Sequence, residues 1–410
     1  MAYRYDSDLE FLRSMSSADL DTLVVTLTGK DNLNATENLS QQKGFKTHHP
    51  NHIKYVDEIM EELQRFGGNT FVNYLIRFGK GVFYKEILCD VCDKAKVKYN
   101  KNSSVENIEN ELLSAIMKKA VDKMDDKTLK DIAKDAKIST AKGFSKQAAV
   151  VAMQTAIKAG GVQSYQLALI VANAVAKQIL GRGVSVVASA SLSRILGAFT
   201  GPIGWAITGL WTAIDIAGPA YRITMPAVIQ VAFLRKKLNN TITIFLTGET
   251  GVGKDTILHI LQDAKFKEAH QDTRKLEKET IDTDNGRFEI INTSGADDHD
   301  DENIDARRDL KSGTKYSYVF KVDDFLADEK VKKRVQMNLQ NAKEQCKRES
   351  YNLKIIGTHK DKCEVSEREI QALIKELGEN GKFDCEIWDL TKAKKDGTQI
   401  QRELVEFIKK

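Results

Sequence analysis

From the N-terminus to about Ile138, apolar residues recur at the three- and four-residue spacing of helices. Ser7-Asp8 opens one run with Leu9, Phe11 and Leu12, and Ser16-Ser17-Ala18-Asp19 opens the next with Leu20, Leu23 and Val24. Residues 56–66 read as an amphipathic helix stopped by Gly67-Gly68. Helices are expected at 72–78, 85–98, 105–123 and 126–136, with breaks rich in Ser, Thr and Asn such as 100–104. Beyond residue 241 the period changes. Short apolar runs alternate with amphipathic stretches, as in a parallel α/β sheet. Strands are expected at 242–247, near 280–283, and at 287–292, 316–322, 352–357 and 385–390, with Asp284-Asn285-Gly286 as a tight-turn signal. Helices are expected at 255–263, 328–348, 367–377 and 399–408.

Between these two parts, residues 145–237 are rich in Ala, Gly, Val and Ile and poor in charge. Residues 195–214 contain no charged side chain, and Gly197 and Gly201 form a small-xxx-small pair with Trp205 and Trp211 nearby. Length and polarity suit a segment that spans or enters a bilayer, with Arg235-Lys236-Lys237 at its far end. Pro202, Pro219, Asp215 and the glycines break a simple spanning helix, so a buried helical hairpin explains the same residues. The expected organisation is a helical domain at 1–144, an apolar helical segment at 145–238 and an α/β domain at 239–410.

The strand at 242–247 runs into Gly248-Glu249-Thr250-Gly251-Val252-Gly253-Lys254-Asp255-Thr256. Such a turn gathers backbone N–H groups at one spot. The glycines allow close approach to phosphates, Lys254 reaches the β- and γ-phosphates, and the following helix adds its N-terminal dipole. A glycine-rich turn without ligand is the plainer alternative, but strand, spacing and Gly-Lys together favour nucleotide phosphate.

Asn292-Thr293-Ser294-Gly295 and Thr358-His359-Lys360-Asp361 each close a strand. With the glycine turn they resemble the ordered motifs of Ras-like, translation-factor-class GTPases, and Thr358-His359-Lys360-Asp361 is similar to the fourth motif of Roc-type GTPases. The resemblance implies a P-loop GTPase-like fold, GTP or GDP as ligand and Mg²⁺ as cofactor. It implies that Asp361 reads the guanine ring, which lies between Thr358-His359 and the loop Thr391-Lys392-Ala393. Thr273 is the candidate switch threonine, with Thr280 and Thr283 as competitors. At the metal the family has Ser or Thr where this chain has Asp255, and Asp where it has Asn292. One carboxylate is thus kept but moved across the site, and Asp255, Thr256 and Thr273 are the expected metal residues. Ala296 follows Gly295 where the family orients attacking water with Gln, and His359 replaces a Lys, so slow or partner-assisted hydrolysis is expected. The catalytic residues stay open. Asp297-Asp298-His299-Asp300-Asp301-Glu302 reads as a solvated acidic loop, or as a surface that reorders with nucleotide state.

The 410 residues are 29% charged and 41% hydrophobic, enough for two or three domains, and a net charge of +4 gives no case for nucleic-acid binding. Five cysteines and an N-terminus without a signal pattern point to the cytoplasm, peripheral to or inserted in the inner membrane if the apolar segment engages it. Cys89 and Cys92 sit in a helix-like run, and His48, His49 and His52 in a loop, both simpler as structure than as a metal site.

A second resemblance covers the chain to about Leu238. Asp6-Ser7-Asp8-Leu9-Glu10-Phe11-Leu12, Leu63-Gln64-Arg65-Phe66-Gly67-Gly68-Asn69 and Ala220-Tyr221-Arg222-Ile223-Thr224-Met225-Pro226-Ala227-Val228-Ile229-Gln230 are similar to the YaaW family of bacterial helical proteins. That implies an all-α, cytoplasmic bacterial module. The combined expectation is a guanine-nucleotide switch controlling this module, which then meets a membrane, a protein partner or another copy. Conflict or phage defence is the role suggested by analogy. The alternatives are a P-loop kinase, with Arg307-Arg308 or Lys333-Arg334 as lid arginines, and a pseudo-GTPase scaffold.

Overall fold

The computed structural model describes residues 3–28, 38–67, 81–135, 145–184, 190–214, 221–263, 277–283, 286–293, 310, 314–363, 366–379 and 381–409. The chain divides into two compact units, Met1–Asn240 with Thr283–Gly286, and Thr241–Asp282 with Arg287–Lys410.

The first unit is helical. Its longer elements are α1 (Ser17–Thr28), α2 (Lys43–His48), α3 (Val56–Gly67), α4 (Tyr84–Lys94), α5 (Val105–Asp122), α6 (Asp126–Asp135), α7 (Lys146–Ala159), α8 (Gly161–Leu180), α9 (Ala190–Ile214) and α10 (Tyr221–Asn239). The side chains of Ser104 and Ser145 cap α5 and α7 by accepting from Asn107 N and Ala148 N. The expected helix at 72–78 lies outside the described residues. Residues 195–214 fall within one helix, α9, rather than a hairpin, with Pro202 inside it. Pro202 removes one backbone hydrogen bond, while Phe199, Ile203 and Ala206 pack into the helical core, and α9 packs on α8. Trp205 on α9 is 66% exposed. Among the described residues no helix is long and apolar enough to cross a membrane.

The second unit is a mixed six-stranded sheet of order β2-β3-β1-β4-β5-β6. The strands are β1 (Thr241–Thr247), β2 (Glu277–Thr283), β3 (Gly286–Asn292), β4 (Lys315–Lys321), β5 (Asn352–Thr358) and β6 (Asp384–Ile387). β1 pairs in parallel with β3 and β4, and β4–β5 and β5–β6 are parallel too. The short step from Thr283 to Gly286 suits only an antiparallel β2–β3 pair. The helices are α11 (Lys254–Asp263), α12 (Val322–Ala327), α13 (Glu329–Glu349), α14 (Glu367–Leu377) and α15 (Ala393–Lys409).

Both faces of the sheet's centre are covered, in keeping with the largely apolar and aromatic interiors of β1 and β4. Ile244 and Leu246 pack with Ile257 and Leu258 of α11 and with Leu404 of α15. Phe245, one residue out of phase, packs on the other face with Val335 and Leu339 of α13 and Leu373 of α14. The last strand ends at Ile387, short of the expected 390, because Leu390 begins a 3-10 turn, Leu390–Lys392.

Candidate functional site

Four parallel ladders put the C-terminal ends of β1, β3, β4, β5 and β6 along one edge of the sheet, and the sequence-predicted residues that the structure describes lie there. After β1 the chain turns through Gly248, Gly251 and Gly253, all at positive φ (145°, 74° and 96°). A Cβ on Gly248 would stand 2.1 Å from the Val319 carbonyl oxygen of β4, so only glycine fits. Val252 is buried, whereas Thr250 and Gly251 face solvent. Lys254, 5% exposed, opens α11 and folds back, its Nζ donating to Gly248 O at 3.0 Å and Glu249 O at 2.9 Å. The ammonium thus spans the turn whose amides it would supplement.

Asp255 and Asn292 meet across the β1–β3 junction. Asn292 Nδ2 donates to Asp255 Oδ1 at 2.6 Å. Because a carboxylate can only accept, the amide nitrogen is fixed toward it and the amide oxygen faces away. That oxygen is buried without a hydrogen-bond partner. Thr293 continues the strand end, its hydroxyl donating to Leu246 O at 3.0 Å. Thr256 is half-buried on the first turn of α11. Thr273, Gly295, Ala296, the acidic loop 297–302 and Arg307-Arg308 lie outside the described residues.

At the end of β5, the buried Thr358 hydroxyl lies 2.7 Å from Val252 O and 3.2 Å from Phe320 O, joining the β5 end to the glycine turn and to β4. His359 adopts left-handed φ/ψ (59°, 34°), with Nδ1 2.9 Å from the Thr358 hydroxyl. Since that hydroxyl gives its proton to a carbonyl, Nδ1 of the neutral ring carries the hydrogen. Burial lowers the His359 pKa, and nearby Asp323 acts in the opposite direction. Lys360 pairs with Glu367 at 3.0 Å. Asp361 is exposed in the turn Lys360–Lys362, and its carboxylate has no hydrogen-bond partner among the described residues. Past β6, Asp389 Oδ1 accepts from Thr391 N at 3.1 Å and from the Thr391 hydroxyl at 2.5 Å, fixing the loop that carries the exposed Lys392. Lys360 N donates to Trp388 O, so the β5 and β6 loops are neighbours.

Two residues at this edge escape sequence reasoning, and so does the pairing of a third. Asp323, just past β4, and Trp388, just past β6, each bury a polar atom (Oδ1 and Nε1) without a partner. Glu249 is gripped by Arg334 of α13 through Nε–Oε1 at 2.5 Å and Nη2–Oε2 at 2.7 Å. Nothing local in sequence signals a pair 85 positions apart.

The helical unit uses its buried charge otherwise. Arg235 of α10 donates to Glu109 of α5 at 2.9 Å and to Asp8 O at 2.7 Å, and the Tyr84 hydroxyl donates to the other Glu109 oxygen at 2.8 Å. Burial pushes the Glu109 carboxyl up, while Arg235 and Tyr84 favour its charged form. Lys236 pairs with Glu106 at 2.9 Å and Lys237 with Asp19 at 2.5 Å. The basic triplet that the sequence sets at the end of an apolar segment is therefore internal and paired. The Asp6 carboxylate accepts from Tyr84 N and Asp8 N, which ties the first residues to α4.

Comparison with known proteins defines the class of the helical part. Residues 3–32 match a domain of unknown function (DUF3944), and residues 51–229 match the ubiquinol-cytochrome C chaperone family model. A UPF0174 protein of Helicobacter pylori is 50% identical over 58% of this chain and 94% of its own length. A second H. pylori UPF0174 protein is 42% identical over 49% of this chain and 98% of its own length. The UPF0174 protein YaaW of Escherichia coli is 33% identical over 58% of this chain and 98% of its own length. The chain belongs to the UPF0174 family, in agreement with the YaaW resemblance.

Proposed function

We propose that the sheet unit binds a guanine nucleotide with its phosphates on the turn Gly248–Lys254 and its base over Asp361, and that nucleotide state governs what the helical unit engages. The observation that carries the reading is the Thr358 hydroxyl on Val252 O, 2.7 Å away, which couples the phosphate turn to the loop bearing the base reader. The location supports it as well: β1 lies where the strand order reverses, and α/β sheets bind ligands beyond the C-terminal strand ends at such a point. Three glycines at positive φ leave the turn amides unshielded, and Lys254 is already held across it.

A divalent cation fits beside this turn. The half-buried Asp255 carboxylate supplies the charge, and the orphaned Asn292 oxygen is an acceptor that a hydrated cation's water satisfies. Thr256 is the hydroxyl candidate and Thr273 the switch candidate. When bound, Mg²⁺ neutralises phosphate charge. Asp255 fixes the Asn292 amide, Lys254 offsets phosphate charge, and Asp361 accepts from a ring that carries donors. With Ala296 after Gly295, hydrolysis is slow or needs a partner or a second copy. The chaperone named in the matched family model, together with the internal pairing of Arg235, Lys236 and Lys237, supports a protein rather than a lipid surface as the partner of the helical unit.

Calorimetric titration with GDP, GTP and ATP in Mg²⁺, with Asp361→Asn alongside, tests the proposal. Guanine-selective binding that Asp361→Asn abolishes is the expected result. ATP binding indifferent to Asp361 replaces it with the kinase reading, and no binding replaces it with a scaffold.

A further inference from the structure

Glu249 directly follows the first glycine of the turn, an unfavourable place for a carboxylate if phosphates are the ligand. Its side chain is 12% exposed, so water screens its charge poorly. The charge is met by Arg334, whose two donors engage both carboxylate oxygens in the planar, bidentate form that fixes geometry as well as charge. Arg334 is held there by its helix. Asp328 caps α13, and the neighbouring Val335, with Leu339, is buried against the sheet. The Arg334 side chain, 49% exposed, therefore reaches the turn from a fixed base.

We infer that Arg334 is a positioning residue of the phosphate turn: through Glu249 it ties the turn to α13 and cancels the charge that opposes a polyphosphate. This rests on the nucleotide-phosphate reading. A triphosphate carries more negative charge than a diphosphate, so Arg334 favours GTP over GDP without touching either. The pair occupies the place where the sequence suggested a kinase lid arginine, and gives that arginine a different task.

The test uses the full chain with Arg334→Ala, Arg334→Lys, Glu249→Gln and the Glu249→Gln/Arg334→Ala double variant. Hydrogen exchange of amides 248–254 is followed without nucleotide, and affinities are measured for GDP and a non-hydrolysable GTP analogue. Arg334→Ala is expected to speed exchange in the turn and to weaken the GTP analogue about tenfold, GDP less. Arg334→Lys, which keeps the charge but loses the fork, falls between. The double variant recovers most of the GTP-analogue affinity while its turn still exchanges faster than wild type, an outcome general destabilisation does not produce. Unchanged affinity in Arg334→Ala, or a double variant no better than it, overturns the inference. If wild type binds neither nucleotide, the guanine reading fails, and exchange alone decides the clamp: faster exchange in Arg334→Ala upholds the tie, and equal exchange removes it.

Discussion

In the helical unit, Glu109 is buried between Arg235 and the Tyr84 hydroxyl, and Lys236 and Lys237 each find a carboxylate. In the sheet unit, Asn292, Asp323 and Trp388 each bury a polar atom without a partner, at or just past the C-terminal ends of β3, β4 and β6. The helical unit has neutral orphans as well, at Gln42, Asn110, Ser114 and Asn173 on several elements, and the sheet unit has another at Ser317 within β4. A buried unpaired donor or acceptor costs about 1–3 kcal/mol. Both units thus leave buried polar atoms unmet; what differs is that the helical unit pairs its buried charges, whereas three of the sheet unit's unmet atoms lie at one edge of the sheet. The difference separates charges whose partners lie inside the fold from polar atoms at the sheet edge that the fold leaves unmet.

The largest expected effect breaks the comparison at its backbone. Gly248 and Gly160 both have positive φ, but a Cβ on Gly160 meets nothing within 4 Å, whereas one on Gly248 strikes the Val319 carbonyl. Gly248→Ala should cost up to about 6 kcal/mol by strain and overpacking together. Gly160→Ala, which carries the backbone strain (φ 79°, ψ −165°) without the clash, should cost only about 1–3 kcal/mol. Urea unfolding resolves them: Trp388 alone reports on the sheet unit once Trp205 and Trp211 are replaced by Phe, and Trp205 and Trp211 report on the helical unit once Trp388 is replaced. Equal losses would mean that the glycine turn is no tighter than an ordinary helix junction.

Next in size is the charge cluster of the helical unit. Arg235→Met leaves Glu109 buried without its cation and should destabilise that unit by about 3–5 kcal/mol. Adding Glu109→Leu should return much of the loss, since a paired burial is worth little against apolar packing. A double variant as unstable as the single would give the cluster a role beyond charge compensation.

Asn292→Asp sharpens the other side. It sets a second carboxylate against Asp255, where the amide now bonds at 2.6 Å. One acid is then forced toward protonation, and the sheet unit should lose about 1–3 kcal/mol at pH 7 without divalent cation. Millimolar Mg²⁺, or Asp255→Ser in the same chain, should recover it, as thermal melts with and without Mg²⁺ would report. A variant as stable as wild type in chelator would show that Asn292 is an ordinary core amide.

How far the sequence carried these contrasts depends on the range of each interaction. β1, β3, β4 and β5 were legible to within a residue or two, because short apolar and aromatic runs set between helical stretches mark strands even where a polar residue interrupts them. The end of β6 was not: Trp388 and Leu390 are buried past the strand, and an apolar residue looks the same in either place. Pro202 suggested a break within 195–214 where packing on α8 keeps one helix. The glycine turn and the Asn292 and Thr358 strand ends were legible because their chemistry is local. Arg334 on Glu249 and Lys237 on Asp19 were not, since each joins residues far apart in the chain. Local motifs survive in one dimension, whereas compensating partners are found only in three.

The smallest effect tests the comparison by pH. Burial lowers the pKa of His52 in the helical unit and of His359 in the sheet unit. A folded value below the unfolded one, near 6.5, means that the folded state binds fewer protons in that interval. Stability is then complete above about pH 6.5 and falls as pH drops through the folded value, in both units. The neighbours differ. Asp21 lies 3.5 Å from His52 Nε2 and favours the imidazolium, whereas His359 has Lys321 and Lys362 opposing Asp323 and Asp361. His359→Gln should therefore flatten the acid limb of the sheet unit's stability and leave that of the helical unit unchanged, with His52→Gln giving the reverse. Unit-resolved urea midpoints between pH 7.5 and 5.5 measure both. An acid limb that persists in His359→Gln would assign the loss to carboxylates instead, and would remove His359 as the group that makes the loop after β5 sensitive to pH.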